Sequence, residues 1–264
     1  MTTQPNPITP PIALTIAGSD SGGGAGIQAD LLTFMAFEVH GCTAISCVTA
    51  QNTCGVSRVD PLPAAGLTAQ IEAVRSDLAV RAIKTGMLLN TELIQATAEA
   101  LNHWPVPIVI DPVMVSRTGA VLLEPQAIDA IRQELVPLAT LLTPNRHEAS
   151  LLSCQPISDE TSVIDAAATL HAQGAAAVLI KRGDQPQGGR DLLFNGEPHW
   201  LEGEWINTPH SHGTGCSLSA AITAGLAKQR PLDQAIHAGR AYVKQGLKRS
   251  LAIGHDQGPI CHWT

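Results

Sequence analysis

Short apolar runs and stretches with helical spacing take turns along this chain. Residues 12–17 and 43–50 are apolar and rich in β-branched side chains, and residues 27–37 between them carry apolar positions at helical spacing. Residues 82–86, 106–110, 140–143 and 177–180 repeat the short apolar run. Helical spacing returns over 67–78, 92–104, 127–135 and 162–173. Such alternation predicts βαβ units, hence an α/β fold with a mostly parallel sheet and helices on both faces. After Gly188 the rhythm changes. Residues 190–206 hold short apolar pieces split by Asn195-Gly196, a hairpin signal that predicts a short antiparallel edge. Two helices, 214–228 and 233–249, are expected to close the chain. No internal repeat or linker interrupts the pattern. The expected organisation is a flexible tail over residues 1–11 and a single domain over 12–264.

Composition narrows the function. Hydrophobic residues make up 44% of the 264 positions and aromatics only 3%, so the core is built from Ala, Val, Ile and Leu. That suits helices packed closely on buried strands. A net charge of −7 argues against a bulk electrostatic grip on nucleic acid or an anionic membrane. No apolar run approaches the roughly 20 residues of a spanning helix, and the Thr- and Pro-rich start lacks the features of a signal peptide. The six cysteines form no Cys-x-x-Cys pair, which fits reduced thiols and a cytoplasmic location.

Three segments carry candidate chemistry. The run from Gly18 to Gly26 joins the first strand to the first helix, where glycines allow close backbone approach to a ligand. Within it, Gly24-Ala25-Gly26-Ile27-Gln28-Ala29 fits a G-x-G-x-x-A dinucleotide pattern. The second strand, however, ends in Ala50-Gln51-Asn52 where a ribose-binding acid should stand. His212-Gly213-Thr214-Gly215-Cys216 opens a helical stretch and offers free N–H groups as an anion hole for a transferring phosphoryl group. Cys216 falls in the first helical turn, where the dipole is expected to lower a thiol pKa; a plain glycine cap with a small buried cysteine is the alternative. Asp111 and Glu148 follow neighbouring strand ends, a pairing suited to Mg²⁺, although Asn145 and Glu148 also form a helix-capping pattern. Lys181 and Arg182 add positive charge after a further strand, and no P-loop motif is present.

Taken in order, these stretches resemble the hydroxymethylpyrimidine/phosphomethylpyrimidine kinases of thiamin biosynthesis, within the ribokinase-like superfamily. The resemblance runs through residues 14–20, 22–31, 49–53, 84–88 and 111–114. It continues with Thr143-Pro144-Asn145, Glu148 and residues 212–216. It implies a three-layer α/β/α sandwich, a homodimer, and two ATP-dependent phosphorylations. The first acts on 4-amino-5-hydroxymethyl-2-methylpyrimidine and the second on its monophosphate. It further implies that Asp30 and Gln51 hydrogen-bond the aminopyrimidine, with Gly18, Thr49, Met87 and Val113 around its ring. Asp111 and Glu148 would organise Mg²⁺, with Asn145, Lys181 and Arg117 by the ATP phosphates. Gly213, Thr214 and Gly215 would form the anion hole and Cys216 would serve as base. The chain departs from the family pattern at Thr208-Pro209-His210-Ser211, at Arg182-Gly183-Asp184, and at Arg117, where a Lys is usual. The competing readings are a pyridoxal/pyridoxine kinase of vitamin B6 salvage, a sugar kinase, an NAD-dependent reductase and a binding protein without turnover.

Overall fold

The apolar runs assemble into one sheet in the computed structural model, which describes residues 8–114, 125–182 and 189–263. Among those residues the strands are β1 (Ile12–Asp20), β2 (His40–Asn52), β3 (Gly55–Pro61), β4 (Val80–Thr85) and β5 (Ile108–Ile110). They continue as β6 (Leu141–Leu142), β7 (Val178–Ile180), β8 (Asp191–Phe194) and β9 (Pro198–Leu201). Their order across the sheet is β3-β2-β1-β4-β5-β6-β7-β8-β9. Every pairing from β2 to β7 is parallel, while β3 at one edge and β8 and β9 at the other run antiparallel.

Helices cover both faces. On one side lie α1 (Gly26–Ala36), α7 (Thr214–Ala227) and α8 (Leu232–Lys248). On the other lie α2 (Ala64–Asp77), α3 (Thr91–Leu101), α4 (Pro125–Ala130), α5 (Arg146–Ser153) and α6 (Glu160–Ala172). The two-residue period of each strand sorts side chains between these layers. Leu14 and Ile16 of β1 and Ile83 of β4 join the core under α2–α6, whereas Ala13 and Ala82 join the core under α1, α7 and α8. Lys84, two residues after Ala82, therefore faces α1, and Asp30 of α1 meets it.

Two elements escape the apolar pattern. Most of β3 is exposed, so it carries no apolar run; its ladder with β2 and the Asn52 side chain, which accepts from the N–H groups of Cys54 and Gly55, hold it in place. The short helix α5 comes from a capping box: Asn145 Oδ1 accepts from Glu148 N at 2.9 Å, and Glu148 Oε2 accepts from Asn145 N at 2.8 Å. No helix among the described residues is long and apolar enough to cross a membrane.

Candidate active site

The carboxyl ends of β1, β4, β5, β6 and β7 converge on the N-terminus of α7, the end of the sheet where parallel α/β folds place ligands. Between them lies a cleft with two chemically different sides. Gly18, Thr49 and Gln51 from β1 and β2, with Met87 after β4 and Val113 after β5, are among its lining residues. A Cβ on Gly18 would lie 2.7 Å from Met87 Cε and 2.8 Å from Cys47 Sγ, so any larger residue would displace these side chains. Thr49 Oγ1 donates to Ser19 O at 3.0 Å and lies 3.3 Å from Gln51 Oε1.

The opposite side is dense in charge. Asp111 accepts from Lys181 Nζ at 2.9 Å and from Ser219 Oγ at 3.2 Å. Burial would raise its carboxyl, yet Lys181 and Lys84 hold it below the ordinary range. Glu148 behaves in the opposite way. Burial, with the neighbouring Asp111 charge adding to it, pushes Glu148 up to about 7 despite Lys181 and the N–H donors around it. A cation between these carboxylates would relieve both the burial and the repulsion. Two carboxylates near a helix N-terminus fit Mg²⁺, which keeps waters and takes further oxygens from phosphates. Among the described residues no group of three or more ligating side chains forms a self-sufficient metal cage.

The N-terminus of α7 opens into the cleft. Gly213 caps it with φ +78°, and a Cβ there would lie 1.8 Å from Gly24 O, so only glycine is tolerated. The first N–H to close a helical turn is that of Ser217, to Gly213 O at 2.8 Å. Among the described residues the N–H groups of Gly215 and Cys216 have no acceptor, as expected of a helix start that binds an anion. A Cβ on Gly215 would stand 3.4 Å from Lys181 Nζ and 3.7 Å from Asp111, so glycine leaves this side of the cleft open.

Two expectations need correction. Asp30 does not line the cleft: it is fully buried behind it, and its Oδ2 accepts from Lys84 Nζ at 2.8 Å and from Thr15 Oγ1 at 2.6 Å. Its place on the buried face of α1 makes it a counter-ion instead of a ring contact. Cys216 does stand in the first turn of α7, but its thiol moves the other way. Burial pushes it up to about 11, against the lowering effect of Lys84 and of the Gly26 N–H. Removal of a thiolate from water outweighs the helix dipole here. Arg117 lies outside the described residues.

Three site residues were missed as functional candidates. Lys84 stands at the floor of the cleft. Burial would lower its ammonium, but the neighbouring acidic groups, Asp30 foremost, push it up to about 12. The 2.8 Å contact marks Lys84 and Asp30 as a charged pair. A lysine inside an apolar parallel strand was the signal, since such residues are buried only when paired. Asp20, the last residue of β1, and His212 form the second omission. Asp20 accepts from the N–H groups of Gly22, Gly24 and Ala25 and from His212 Nε2 at 2.9 Å, tying the glycine-rich turn to the start of α7.

Comparison with known proteins shows the family. The family model for phosphomethylpyrimidine kinase matches residues 20–261. The chain belongs to this family. The hydroxymethylpyrimidine/phosphomethylpyrimidine kinase of Synechococcus elongatus is 53% identical over 256 residues, covering 96% of this chain and 97% of that protein. Among solved structures, the phosphomethylpyrimidine kinase of Clostridium difficile superposes with a TM-score of 0.79 at 36% identity, over 88% of this chain and 97% of the other. The pyridoxal kinase of Bacillus subtilis, solved as an ADP complex, superposes with a TM-score of 0.89 at 38% identity, over 96% and 98%. The fold is thus the ribokinase-like sandwich of these vitamin kinases, and the protein is a phosphotransferase of that family.

Proposed function

We propose that this phosphomethylpyrimidine kinase family member transfers the γ-phosphoryl group of ATP to the hydroxymethyl group of 4-amino-5-hydroxymethyl-2-methylpyrimidine. It then phosphorylates the resulting monophosphate to the diphosphate, in thiamin biosynthesis. The observation that supports this reading is that Gln51, 3.2 Å from His212 at the entry to α7, lines the same cleft as Met87, Val113 and the N-terminus of α7. An amide offers one donor and one acceptor to a ring nitrogen and an adjacent exocyclic amine. The apolar neighbours accept a flat heteroaromatic ring and offer few partners to a sugar.

Phosphoryl transfer asks mainly for positioning and charge neutralisation. The N–H groups of Gly215 and Cys216 receive the transferring group, and Lys181 and Lys84 hold positive charge on either side of Asp111. Mg²⁺, organised by Asp111 and Glu148, would neutralise the phosphate oxygens that these cations do not reach. Asn145, whose side chain caps α5, stands beside Lys181 near the same phosphates, and Arg117 is assigned there by its match to the family pattern. Cys216 takes the acceptor's hydroxyl proton. Its thiol stays protonated in the ligand-free cleft, so the thiolate is a minor but correspondingly strong base. A cytoplasmic homodimer belongs to the same reading.

A second reading, phosphorylation of pyridoxal, is favoured by the likeness to the Bacillus pyridoxal kinase. A coupled ADP-release assay with Mg-ATP on hydroxymethylpyrimidine, its monophosphate and pyridoxal separates the two. Turnover of the first two supports the thiamin assignment, and turnover of pyridoxal alone moves it to vitamin B6 salvage. Silence on all three leaves a binding protein.

A further inference from the structure

The nitrogen His212 Nε2 has two neighbours that make incompatible demands. It lies 2.9 Å from Asp20 Oδ2 and 3.2 Å from Gln51 Nε2. The Asp20 carboxylate already accepts from three backbone N–H groups, so it is ionised and has only lone pairs to offer. Burial would raise Asp20, but the His212 contact and these N–H donors bring it below the ordinary carboxylate range. His212 Nε2 must therefore carry a proton and donate to Asp20. A protonated ring nitrogen cannot accept from an amide NH₂, so the Gln51 atom facing it has to be the oxygen, which shares the single Nε2–H with Asp20 Oδ2 as the weaker arm of a bifurcated bond.

Thr49 makes the matching demand at the other end of the amide. Its single hydroxyl hydrogen goes to Ser19 O at 3.0 Å, which leaves Thr49 Oγ1 able only to accept from the amide atom 3.3 Å away. That atom has to be the NH₂. Both ends of Gln51 thus require the same orientation, and side-chain amide orientation is decided by such hydrogen-bond networks.

We infer that His212, held by Asp20, is a specificity-determining residue that fixes the Gln51 amide with its oxygen toward His212 and its NH₂ toward Thr49, and so selects acceptors carrying an amine beside a ring nitrogen. In this orientation one amide hydrogen serves Thr49 and the other is free for a ring nitrogen. One lone pair of the oxygen serves His212 and the other is free for an exocyclic amine. The order of donor and acceptor along the edge is then fixed, and it is the order of a 4-aminopyrimidine. Without the His212 N–H, the Thr49 hydroxyl can turn from Ser19 O to donate to the amide instead, so the amide is free to turn over and a ring lacking the amine pairs equally well.

This inference rests on the proposed acceptor, and its test separates the two. With Mg-ATP, kcat/KM is measured for 4-amino-5-hydroxymethyl-2-methylpyrimidine and for the analogue without the amino group, 5-hydroxymethyl-2-methylpyrimidine. The wild type prefers the amine-bearing ring, and His212→Leu reduces that preference about tenfold, chiefly through KM. His212→Gln, whose NH₂ can donate to both Asp20 and Gln51, keeps the preference within about threefold. In a Gln51→Ala background, His212→Leu leaves the preference unchanged. His212 also ties the glycine-rich turn to α7, and losing that tie alone lowers both acceptors in parallel. Parallel losses with an unchanged preference overturn the inference while leaving the acceptor assignment intact. A wild type inactive on the aminopyrimidine overturns both.

Discussion

The two sides of the cleft are built on opposite principles. The β1–β2 side presents neutral groups, the amide of Gln51 and the hydroxyl of Thr49, with the ionised Asp20 beside them satisfied by four hydrogen-bond donors. Across from it, Lys84, Asp111, Glu148 and Lys181 bring two cations and two carboxylates together with little access to water. A neutral edge discriminates by the order of its donors and acceptors, at about 1 kcal/mol for each hydrogen bond. A buried charged cluster acts over several ångströms and is suited to charge that moves during the reaction. On the proposed function, the first side selects the molecule that is phosphorylated and the second sets the rate.

The contrast can be broken at its most sensitive point first. Cys216→Ala should lower kcat for the hydroxymethyl acceptor by roughly a hundredfold or more. The loss should be smaller with the monophosphate, whose acceptor oxygen is already ionised near neutral pH. Equal losses on both acceptors, read by ADP release, would remove the role of Cys216 as base.

Lys84→Met strands the Asp30 carboxylate in the core and should destabilise the protein by about 3–5 kcal/mol in urea unfolding. Lys84→Met with Asp30→Leu should restore most of that stability while kcat stays low, because the positive charge at the cleft floor is still missing. Full activity in the double variant would show that the pair serves only the fold.

Acid should weaken the charged side through its support. His262 packs beneath α7, with Nε2 2.9 Å from Ser217 Oγ, and burial lowers its pKa from 6.5 to about 4. The folded state therefore binds this proton later than the unfolded state. Its contribution is complete above pH 6.5 and is lost as the pH falls toward 4, up to about 3 kcal/mol in all. His262→Phe should flatten that part of the stability profile, and an unchanged profile would assign the acid sensitivity elsewhere. The smallest effect belongs to the neutral side. Gln51→Ala should raise KM for the pyrimidine about tenfold with the KM for ATP unchanged; a matching rise for ATP would contradict the division of labour.

Much of this was legible in the chain. Period-two and helical spacing located the parallel strands and most helices, because burial against two helical layers leaves an apolar signature in sequence. The glycines at 213 and 215 and the carboxylates at 111 and 148 were readable for a similar reason: helix starts and strand ends are local features. The strand β3 was not readable, since it is mostly exposed and held by backbone pairing. Asp30 and Lys84 illustrate the larger limit. They are 54 positions apart, and only the packing of α1 against β4 makes them partners behind the cleft. The direction of the Cys216 shift was out of reach for the same reason. Sequence places a thiol at a helix start, where the dipole favours thiolate, but the loss of water around it depends on everything folded over it. Sequence by itself determined the sheet and the family, and it marked the glycines that open α7. Tertiary structure decided which charges are buried together and how the hydrogen bonds around Gln51 are shared, because desolvation and hydrogen-bond geometry are properties of neighbours distant in the chain.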